Sequence, residues 1–314
     1  MNMRNVFILN PVAGKGGAMD LKKVIKEKAS ELSINVEICQ TREELDAEVL
    51  ASQIASKATK EHPVRIFACG GDGTINEILN GIIGYENVYL GVLPVGSGND
   101  FVRNFGKVSD FLDIKSQLNG KSFRTDVIKY RWKKNNYNYE RYGINMFNIG
   151  FDCNVVEAAT RMKNIPLISG SMAYLMGVFS MLIKLKGANL KVDFNDGTTY
   201  EGELLLMAIA NGCFCGGGIK GVPFAVTNDG LMDVSLIKRC SRCKCIRLLP
   251  KYVKGAHMKT KEAEEIVIYK QCKSIKVSKL GDDIMFSPDG EIAHADEIEF
   301  EIVPNAINLI IPNR

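Results

Sequence analysis

Short apolar runs alternate with helix-like segments over the first third of the chain. The runs cover residues 6–9, 35–39, 64–69 and 88–93, and each has the length expected of a buried strand. Apolar side chains then return at helical spacing, as in the sets Leu21, Val24, Ile25, Ala29, Leu32 and Ile75, Ile78, Leu79, Ile82, Ile83. Repeated strand–turn–helix units predict a parallel sheet with helices on both faces.

The segment after the second apolar run begins with Thr41. Thr41 and Glu44 have the spacing of a capping box, which predicts a helix from Thr41 to about residue 60. Thr41 is therefore interpreted as a helix cap, and the sequence leaves open whether its hydroxyl also contacts a ligand.

The pattern changes after about residue 127, where strand-like runs dominate. These runs cover residues 126–132, 141–149, 190–194, 200–211, 231–238, 265–269 and 274–279, and helix-like segments fall near residues 152–163, 171–185 and 245–256. We therefore predict the α/β fold class, with a doubly wound domain over residues 1–127 and a second, β-rich, sandwich-like domain over residues 128–302. A last strand, residues 306–311, is expected to return residues 303–314 to the first domain.

Composition and charge exclude only a few classes of function. The chain has 314 residues and a net charge of +4, from 40 basic and 36 acidic residues, which is too mild to indicate a nucleic-acid partner. Nine cysteines at irregular spacing and no signal-peptide pattern predict a cytoplasmic protein. No charged residue occurs between Lys163 and Lys184, but Pro166 and Gly170 interrupt this segment. A buried helix, or one bordering an apolar cleft, is favoured over a membrane span.

Glycine-rich turns follow three of the predicted strands, at the position where open parallel sheets bind ligands. They cover residues 10–17, 70–74 and 94–100. Glycines let backbone N–H groups approach phosphate oxygens, and helix N-termini favour anions. No stretch fits the P-loop pattern, and Met19 stands where a dinucleotide fingerprint needs its third glycine. The turns therefore predict a polyphosphate site of another design.

Two acidic residues in these turns indicate a divalent cation. Asp72 lies among the glycines of the second turn, and Asp100 ends the third turn. A carboxylate beside bound phosphates is favourable when a divalent metal neutralises both. For Asp100, capping of the following helix stays open as an alternative.

These residues resemble the diacylglycerol kinase catalytic domain family of lipid kinases, which includes bacterial soluble diacylglycerol kinases and the sphingosine kinases. Five blocks match in family order: Asn-Pro-Val-Ala-Gly-Lys at 10–15, Gly-Gly-Asp-Gly-Thr-Ile-Asn-Glu at 70–77, Pro-Val-Gly-Ser-Gly-Asn-Asp-Phe at 94–101, Pro-Phe-Ala-Val-Thr-Asn-Asp-Gly-Leu at 223–231 and Asp-Gly-Glu at 289–291. NAD kinases share Gly-Gly-Asp-Gly-Thr, but the ordered set is specific. The resemblance implies a nucleotide-binding α/β domain like that of NAD and diacylglycerol kinases, a β-rich lipid-substrate domain, and an active site between them.

The same resemblance implies a catalysed reaction, the transfer of the γ-phosphoryl group of ATP to a hydroxyl of diacylglycerol or a similar lipid. Glu291 would be the general base, and Lys15 would also belong to the catalytic residues. The nucleotide would contact Asn10, Pro11, Ala13, Gly14, Thr41, Gly70, Gly71, Gly73, Thr74, Asn76 and Ser97. Ser97 replaces the Thr that family members usually carry, and it keeps the hydroxyl.

Two magnesium sites are also implied by the resemblance. Asp72 and Asp100 would organise the catalytic Mg²⁺. A structural Mg²⁺ would be held by Asp229 with the backbone carbonyls of Val226 and Leu231.

Partners and alternatives remain to be tested. Residues 238–261 hold nine Lys or Arg and no acidic residue, and a predicted helix there would contact an anionic membrane surface or present a solvated basic face. The cysteines of this region could hold a metal or remain free thiols; they are Cys213, Cys215, Cys240, Cys243 and Cys245. A homodimer through an exposed β edge is open. The rival functions are a kinase of a soluble substrate such as NAD and a lipid-binding regulator without catalysis.

Overall fold

The computed structural model describes residues 3–150, 153 and 187–313, and the chain forms two compact units. Unit 1 comprises Met1–Asp126 and Asn305–Arg314, and unit 2 comprises Val127–Pro304. The predicted helices near residues 152–163 and 171–185 lie outside the described residues apart from Cys153, as does the whole uncharged segment between Lys163 and Lys184. In the part of the chain that the structure describes, no helix has both the length and the apolar character needed to cross a membrane.

Unit 1 follows the predicted alternation of strands and helices. Its strands in chain order are β1 (Arg4–Leu9), β2 (Val36–Gln40), β3 (Val64–Gly70) and β4 (Val88–Pro94). Its helices are α1 (Gly17–Glu31), α2 (Asp46–Ala55), α3 (Asp72–Ile82), α4 (Val108–Phe111) and α5 (Ile114–Leu118), with short 3-10 helices at Ala13–Gly16 and Phe101–Asn104.

The sheet of unit 1 is parallel in the order β2-β1-β3-β4. The end of the last strand, β15 (Glu297–Ile311), extends this sheet, because Asn308 and Leu309 pair in parallel with β4. Strands β1, β3 and β4 are buried almost throughout, as expected of a parallel sheet covered on both faces, whereas the edge strand β2 is partly exposed. In the core, the rings of Phe7 and Phe67 stack with centroids 4.4 Å apart.

The predicted capping box at Thr41 is wrong. Helix α2 begins at Asp46, after Leu45 in a left-handed conformation (φ 65°), and no side chain of the N-cap residue caps it. Instead, a carboxylate oxygen of Glu77 on α3 accepts the Ala47 N–H at 3.1 Å. An acidic side chain near exposed N–H groups at a helix N-terminus is favourable, so a neighbouring helix supplies the cap.

Unit 2 is built mainly from strands. They are β5 (Lys121–Lys134), whose first residues belong to unit 1, β6 (Tyr137–Gly143), β7 (Met146–Gly150), β8 (Ala188–Phe194), β9 (Thr199–Ala210), β10 (Met232–Lys238), β11 (Val267–Cys272), β12 (Ser274–Lys279), β13 (Ile284–Pro288) and β14 (Ala293–Ala295). The described helices are α6 (Arg242–Val253), α7 (Lys261–Glu264) and a 3-10 helix at His257–Lys259.

The strands of unit 2 pair antiparallel in the order β14-β13-β7-β9-β8-β12, followed by the first part of β15. Strands β10 and β11 attach to β9, and β5 forms a hairpin with β6. One apolar cluster contains Phe147, Phe286 and Phe300, and a second contains Met146, Ala208 and Cys215. Phe147 and Met146 are neighbours on β7, so the two clusters lie on opposite faces of that strand.

The predicted strand at residues 141–149 is two strands in the structure. β6 ends at Gly143 and β7 begins at Met146, with a bend at Ile144 and Asn145. The sequence there contains no proline and no turn-forming pair beyond Gly143 and Asn145, so the apolar run concealed the break.

Candidate phosphate-binding and catalytic residues

The three glycine-rich turns of unit 1 meet at the carboxyl ends of β1, β3 and β4. The Val95 N–H donates to the Gly70 carbonyl at 3.0 Å, which links the third turn to the second. Asn10 Nδ2 donates to Thr74 Oγ1 at 3.0 Å, which links the first turn to the second. A Cβ on Gly14 would lie 2.1 Å from the Val95 carbonyl oxygen, so the first turn also contacts the third. The turns therefore form one cluster of backbone.

Close backbone approach explains two of the glycines. A Cβ on Gly96 would lie 2.3 Å from Gly71 Cα, a distance that real Cβ contacts do not reach. The second and third turns can pack this tightly only because both positions lack a side chain. Asn99 fixes the third turn from within, since its side chain accepts the Gly96 N–H at 3.0 Å and donates to the Gly96 carbonyl at 2.8 Å.

Asp72 opens α3 and holds the start of the next segment. Its carboxylate accepts the N–H of Asp100 at 3.0 Å and that of Phe101 at 3.2 Å. Burial raises the pKa of the Asp72 carboxyl above its ordinary value, although these N–H groups oppose the rise. A nearby cation would lower the cost of the buried charge.

Asp100 and Asp72 direct their carboxylates to the same point. A Cβ on Gly98 would lie 2.9 Å from Asp72 Oδ2 and 3.2 Å from Asp100 Oδ2, so a methyl group there would fill the space beside both oxygens. Asp100 Oδ1 also lies 3.7 Å from Arg103 Nε. Mg²⁺ in phosphoryl-transfer sites is commonly held by one or two carboxylates, substrate phosphates and water. The donor set at Gly98 fits that pattern.

The remaining residues predicted to contact nucleotide belong to the same edge of unit 1. Thr41 follows β2, is buried, and donates its N–H to the Leu9 carbonyl at 2.9 Å. Asn76 is buried on α3 and its Oδ1 accepts Asn80 Nδ2 at 3.2 Å. Ser97 is exposed at the tip of the third turn. The others lie in the first turn or at the start of α3: Pro11, Ala13, Lys15 and Gly73.

Asp289 and Glu291 of unit 2 have different surroundings. The Asp289 carboxylate accepts the N–H groups of Ile144 at 2.9 Å, Asn145 at 3.0 Å and Met146 at 3.0 Å. Asp289 has a left-handed backbone (φ 46°), and the Glu291 side chain is exposed. Asp289 therefore holds the β6–β7 bend and the turn that presents Glu291. The sequence motif indicated Glu291 but not this structural role of Asp289.

The predicted structural metal site lies in an exposed turn of unit 2. Asp229 Oδ1 accepts the Leu231 N–H at 3.0 Å, and Val226 is half-exposed nearby in the chain. Asp233, two residues beyond Leu231, is fully buried, and it accepts hydrogen bonds from the Tyr269 hydroxyl and from Gln271 Nε2. Burial raises the pKa of Asp233 above its ordinary value.

The cysteines of unit 2 do not form a metal cluster. Throughout the described ranges, no group of three His, Cys, Asp or Glu side chains is arranged to hold a metal ion. Cys215 is buried in the second apolar cluster of unit 2, against which Cys213, Cys240 and Cys245 pack, while Cys243 is exposed. These are free thiols in the structure.

Helix α6 has one packed face and one exposed face. Leu249, Tyr252 and Val253 pack against the second apolar cluster of unit 2, so this face is not available to a membrane. The solvent side carries an exposed stripe, defined by Cys243, Ile246, Arg247, Pro250 and Lys254. Within this stripe, Ile246 is 56% exposed.

A parallel sheet with glycine turns and paired carboxylates at its carboxyl edge is the arrangement of a phosphoryl-transfer enzyme of the NAD kinase-like fold. Two family models match the chain: the diacylglycerol kinase catalytic domain at residues 4–130 and the YegS C-terminal NAD kinase beta sandwich-like domain at residues 145–311. Diacylglycerol kinases of two Staphylococcus aureus strains, bovine RF122 / ET3-1 and JH9, are each 30% identical over 262 residues, which is 82% of this chain and 78% of theirs.

Solved structures agree on the fold. A diacylglycerol kinase from Bacillus anthracis str. Sterne matches with a TM-score of 0.68 and 21% identity, over 99% of this chain and 97% of that chain. Yeast NADH kinase complexed with NADH matches with a TM-score of 0.53 and 12% identity, over 100% of this chain and 84% of that chain. The predicted fold class is confirmed. The chain belongs to the diacylglycerol kinase family and is a kinase of that family.

Proposed function

We propose that this kinase transfers the γ-phosphoryl group of ATP to a hydroxyl of diacylglycerol or a closely similar lipid, in a Mg²⁺-dependent reaction with Glu291 as general base. The observation that carries the proposal is the pair of carboxylates, Asp72 and Asp100, beside Gly98. They stand at the junction of three glycine turns, in a chain that belongs to a lipid kinase family. Phosphoryl transfer depends mainly on positioning and charge neutralisation, which such a junction can supply.

The phosphates of ATP would be bound by backbone N–H groups of the three turns. The hydrogen bond between Asn10 and Thr74 keeps the first turn in place beside the second, and the contact between Gly71 and Gly96 keeps the third turn close. Lys15, in the first turn, would add positive charge for the same phosphates. Thr41, Asn76 and Ser97 would contact other parts of the nucleotide.

Glu291 would accept the proton of the attacking lipid hydroxyl. A carboxylate placed beside the hydroxyl can take this proton as the bond to phosphorus forms. Asp289 supports the role, since its three hydrogen bonds to backbone N–H groups hold the turn that carries Glu291.

Asp72 and Asp100 would hold the catalytic Mg²⁺, and Asp229 with the carbonyls of Val226 and Leu231 would hold a structural Mg²⁺. The catalytic ion, when bound, would neutralise charge on the phosphate oxygens. Burial raises the pKa of the Asp72 carboxyl, and a cation bound beside it would lower that pKa.

A lipid substrate requires contact with a membrane surface, and we propose that the exposed stripe of α6 makes it. Ile246 offers apolar area, and Arg247 and Lys254 flank it with positive charge. Part of this charge is offset, because Arg247 Nη1 lies 3.2 Å from Glu262 Oε1. Sedimentation with phosphatidylglycerol vesicles should be weaker for Ile246→Asp than for the control Leu280→Asp, which alters another exposed apolar residue of unit 2. Equal sedimentation of the two variants would contradict a role for the stripe.

The test of function is transfer of labelled phosphate from ATP to defined acceptors. Full-length protein is incubated with γ-labelled ATP and Mg²⁺, and with diacylglycerol in mixed micelles, a long-chain base in micelles, or NAD. A labelled phosphatidic acid product that needs Mg²⁺ and disappears with Asp72→Asn would support the proposal. Label in the long-chain base instead of diacylglycerol would still support a lipid kinase, but with a different lipid substrate.

A labelled NAD product without labelled lipid would overturn the proposal in favour of a soluble substrate. The likeness to yeast NADH kinase makes NAD the appropriate competing acceptor, although at 12% identity it concerns the fold alone. Circular dichroism of Asp72→Asn is the control for folding, since this carboxylate also accepts backbone N–H groups.

A further inference from the structure

Two cysteines flank the first turn of α6. Ser241 is the N-cap residue, and its hydroxyl accepts the Lys244 N–H at 3.3 Å. Cys240 precedes the cap and Cys245 is the fourth residue of the helix, so they occupy the two positions of a hydrophobic staple. Their side chains meet as that motif requires, with the sulfur atoms 3.1 Å apart.

The surroundings of this pair favour a bond between the two sulfurs over a metal site. No third ligand among the described residues joins them, and Cys213, which packs against the same apolar cluster, directs its sulfur to the Ala225 carbonyl at 3.3 Å. Both Cys240 and Cys245 are partly exposed, so a small oxidant can reach them. Sulfurs 3.1 Å apart need to approach by only about 1 Å to reach disulfide bonding distance.

We propose that Cys240 and Cys245 are a reversible oxidation site, which a hydroperoxide converts to an intramolecular disulfide. The Cys240 thiolate attacks the peroxide oxygen, the O–O bond breaks, and Cys240 becomes a sulfenic acid as the peroxide is reduced to water or an alcohol. The Cys245 sulfur then attacks the sulfenic sulfur, the S–O bond breaks, and the hydroxide leaves with the Cys245 proton as water. Two electrons pass from the two thiols to the peroxide, and a dithiol returns them on reduction.

The pKa of the Cys245 thiol bears on which sulfur reacts first. Burial, reinforced by the neighbouring Cys240 thiol, raises the pKa of Cys245 to about 12, so it stays protonated at neutral pH. We assign the first step to Cys240, which precedes the helix, and the second step to Cys245, and the serine variants below test this order. The disulfide would join the second residue after β10 to the first turn of α6 and fix the start of the helix that carries the exposed stripe.

The sequence makes the bond directly measurable. Trypsin cleaves after Arg239, Arg242, Lys244 and Arg247, which places Cys240, Cys243 and Cys245 on three separate peptides, residues 240–242, 243–244 and 245–247. Full-length protein is treated with hydrogen peroxide, its free thiols are alkylated, and the digest is analysed without reduction. We expect a linked pair of peptides 240–242 and 245–247, which dithiothreitol removes.

Three variants sharpen the assignment. Cys243→Ser should leave the linkage unchanged, because the Cys243 side chain is exposed rather than in the staple. Cys245→Ser should accumulate a sulfenic acid on peptide 240–242, trapped by dimedone. Cys240→Ser should leave Cys245 reduced at the same peroxide concentration. Cys69, buried in unit 1, should stay unmodified in every sample.

Two results would overturn the proposal. The first is that peroxide modifies Cys243 alone while peptides 240–242 and 245–247 remain unlinked. The second is a linkage of either peptide to 243–244 with none between them. In both cases the contact between Cys240 and Cys245 would serve only as packing at the start of α6.

Discussion

The turns around Asp72 and the turn around Glu291 both carry a carboxylate that the proposed reaction needs, but they hold it in opposite ways. In unit 1, Asp72 itself accepts hydrogen bonds from backbone N–H groups, and it lies next to Gly71, whose backbone contacts that of Gly96. In unit 2, a neighbouring acid, Asp289, makes the backbone hydrogen bonds, and Glu291 is left exposed. The first arrangement combines structure and chemistry in one residue, and the second divides them between two.

This difference decides what a mutation can report. A substitution at Asp72 alters folding and chemistry together, whereas substitutions at Asp289 and Glu291 should separate them. The turn around Glu291 is therefore the better place to measure the chemical contribution of a carboxylate.

The largest effect is expected for Glu291→Gln. Removal of a general base typically costs about 10²- to 10⁴-fold in rate, and the exposed side chain makes little contribution to the fold. We expect kcat to fall by that factor with the thermal unfolding temperature unchanged. The matched control is Glu264→Gln, another exposed glutamate of unit 2, which should retain full activity. A Glu291→Gln enzyme with wild-type kcat would remove Glu291 from the mechanism.

A smaller loss is expected for Gly98→Ala in unit 1. The φ angle of Gly98 is not in the left-handed region, so alanine is acceptable to the backbone, and its methyl group would lie beside the oxygens of both Asp72 and Asp100. Displacement of catalytic groups by about 1 Å can cost on the order of 10²-fold in rate. We expect a loss of that size together with a higher Mg²⁺ requirement, measured by titrating Mg²⁺ in the kinase assay.

Gly281→Ala is the control for Gly98→Ala, because a Cβ on Gly281 would meet nothing within 4 Å. If Gly98→Ala retained the wild-type Mg²⁺ dependence, the space beside the two carboxylates would not be where the ion binds.

Asp289→Asn should change stability more than chemistry. The variant keeps one acceptor oxygen but loses the charge that three backbone N–H groups share, and hydrogen bonds to charged groups contribute about 1.5–3 kcal/mol. We expect a lower urea midpoint of unfolding, with kcat of the folded protein reduced much less than in Glu291→Gln. Asp46→Asn, whose carboxylate accepts a single backbone N–H, that of Arg42, should shift the midpoint less. Equal shifts would mean that the β6–β7 bend does not depend on Asp289.

The smallest effect concerns the buried Asp233 and depends on pH. Burial raises the pKa of Asp233 in the folded state above its value of about 3.9 in the unfolded state. Below the unfolded-state pKa the carboxyl is neutral in both states, and burial of its charge costs no stability. Above the folded-state pKa the carboxyl is charged in both states, and the folded protein bears the full cost of burying that charge. The wild type should therefore lose stability relative to Asp233→Asn as pH rises through this window. Urea unfolding of both proteins across a pH series measures the difference. A difference that does not vary with pH would show that Asp233 titrates normally.

The sequence predicted the features of unit 1 that rest on local geometry. Glycines directly after apolar runs indicate tight strand-to-helix turns, and all three are present where the pattern placed them. The contact between Gly71 and Gly96 could not be predicted, because it joins turns of separate strands. The false capping box at Thr41 has the same cause: the group that caps α2 is Glu77, which is near only after α2 and α3 pack.

In unit 2 the sequence predicted the strands better than the turns. The Asp-Gly-Glu motif indicated Glu291 through family resemblance, but nothing near Asp289 in the sequence points to Ile144 and Asn145, whose N–H groups it accepts from far along the chain. The buried position of Asp233 could not be predicted either, because a single acidic residue in an apolar strand forms no repeating pattern. Its partners Tyr269 and Gln271 come from β11, and only strand pairing brings them together.

The final strand has a consequence for how the protein is made. Asn308 pairs in register with Tyr89, so the sheet of unit 1 acquires its last strand only after all of unit 2 has been synthesised. Contacts this distant in sequence slow folding, because the loop between the partners must close first. During synthesis on the ribosome, the edge of β4 that later pairs with β15 would remain unpaired while unit 2 is made. Unpaired strand edges favour aggregation. The sheet that supports the glycine turns is therefore completed among the last steps of the protein's biogenesis.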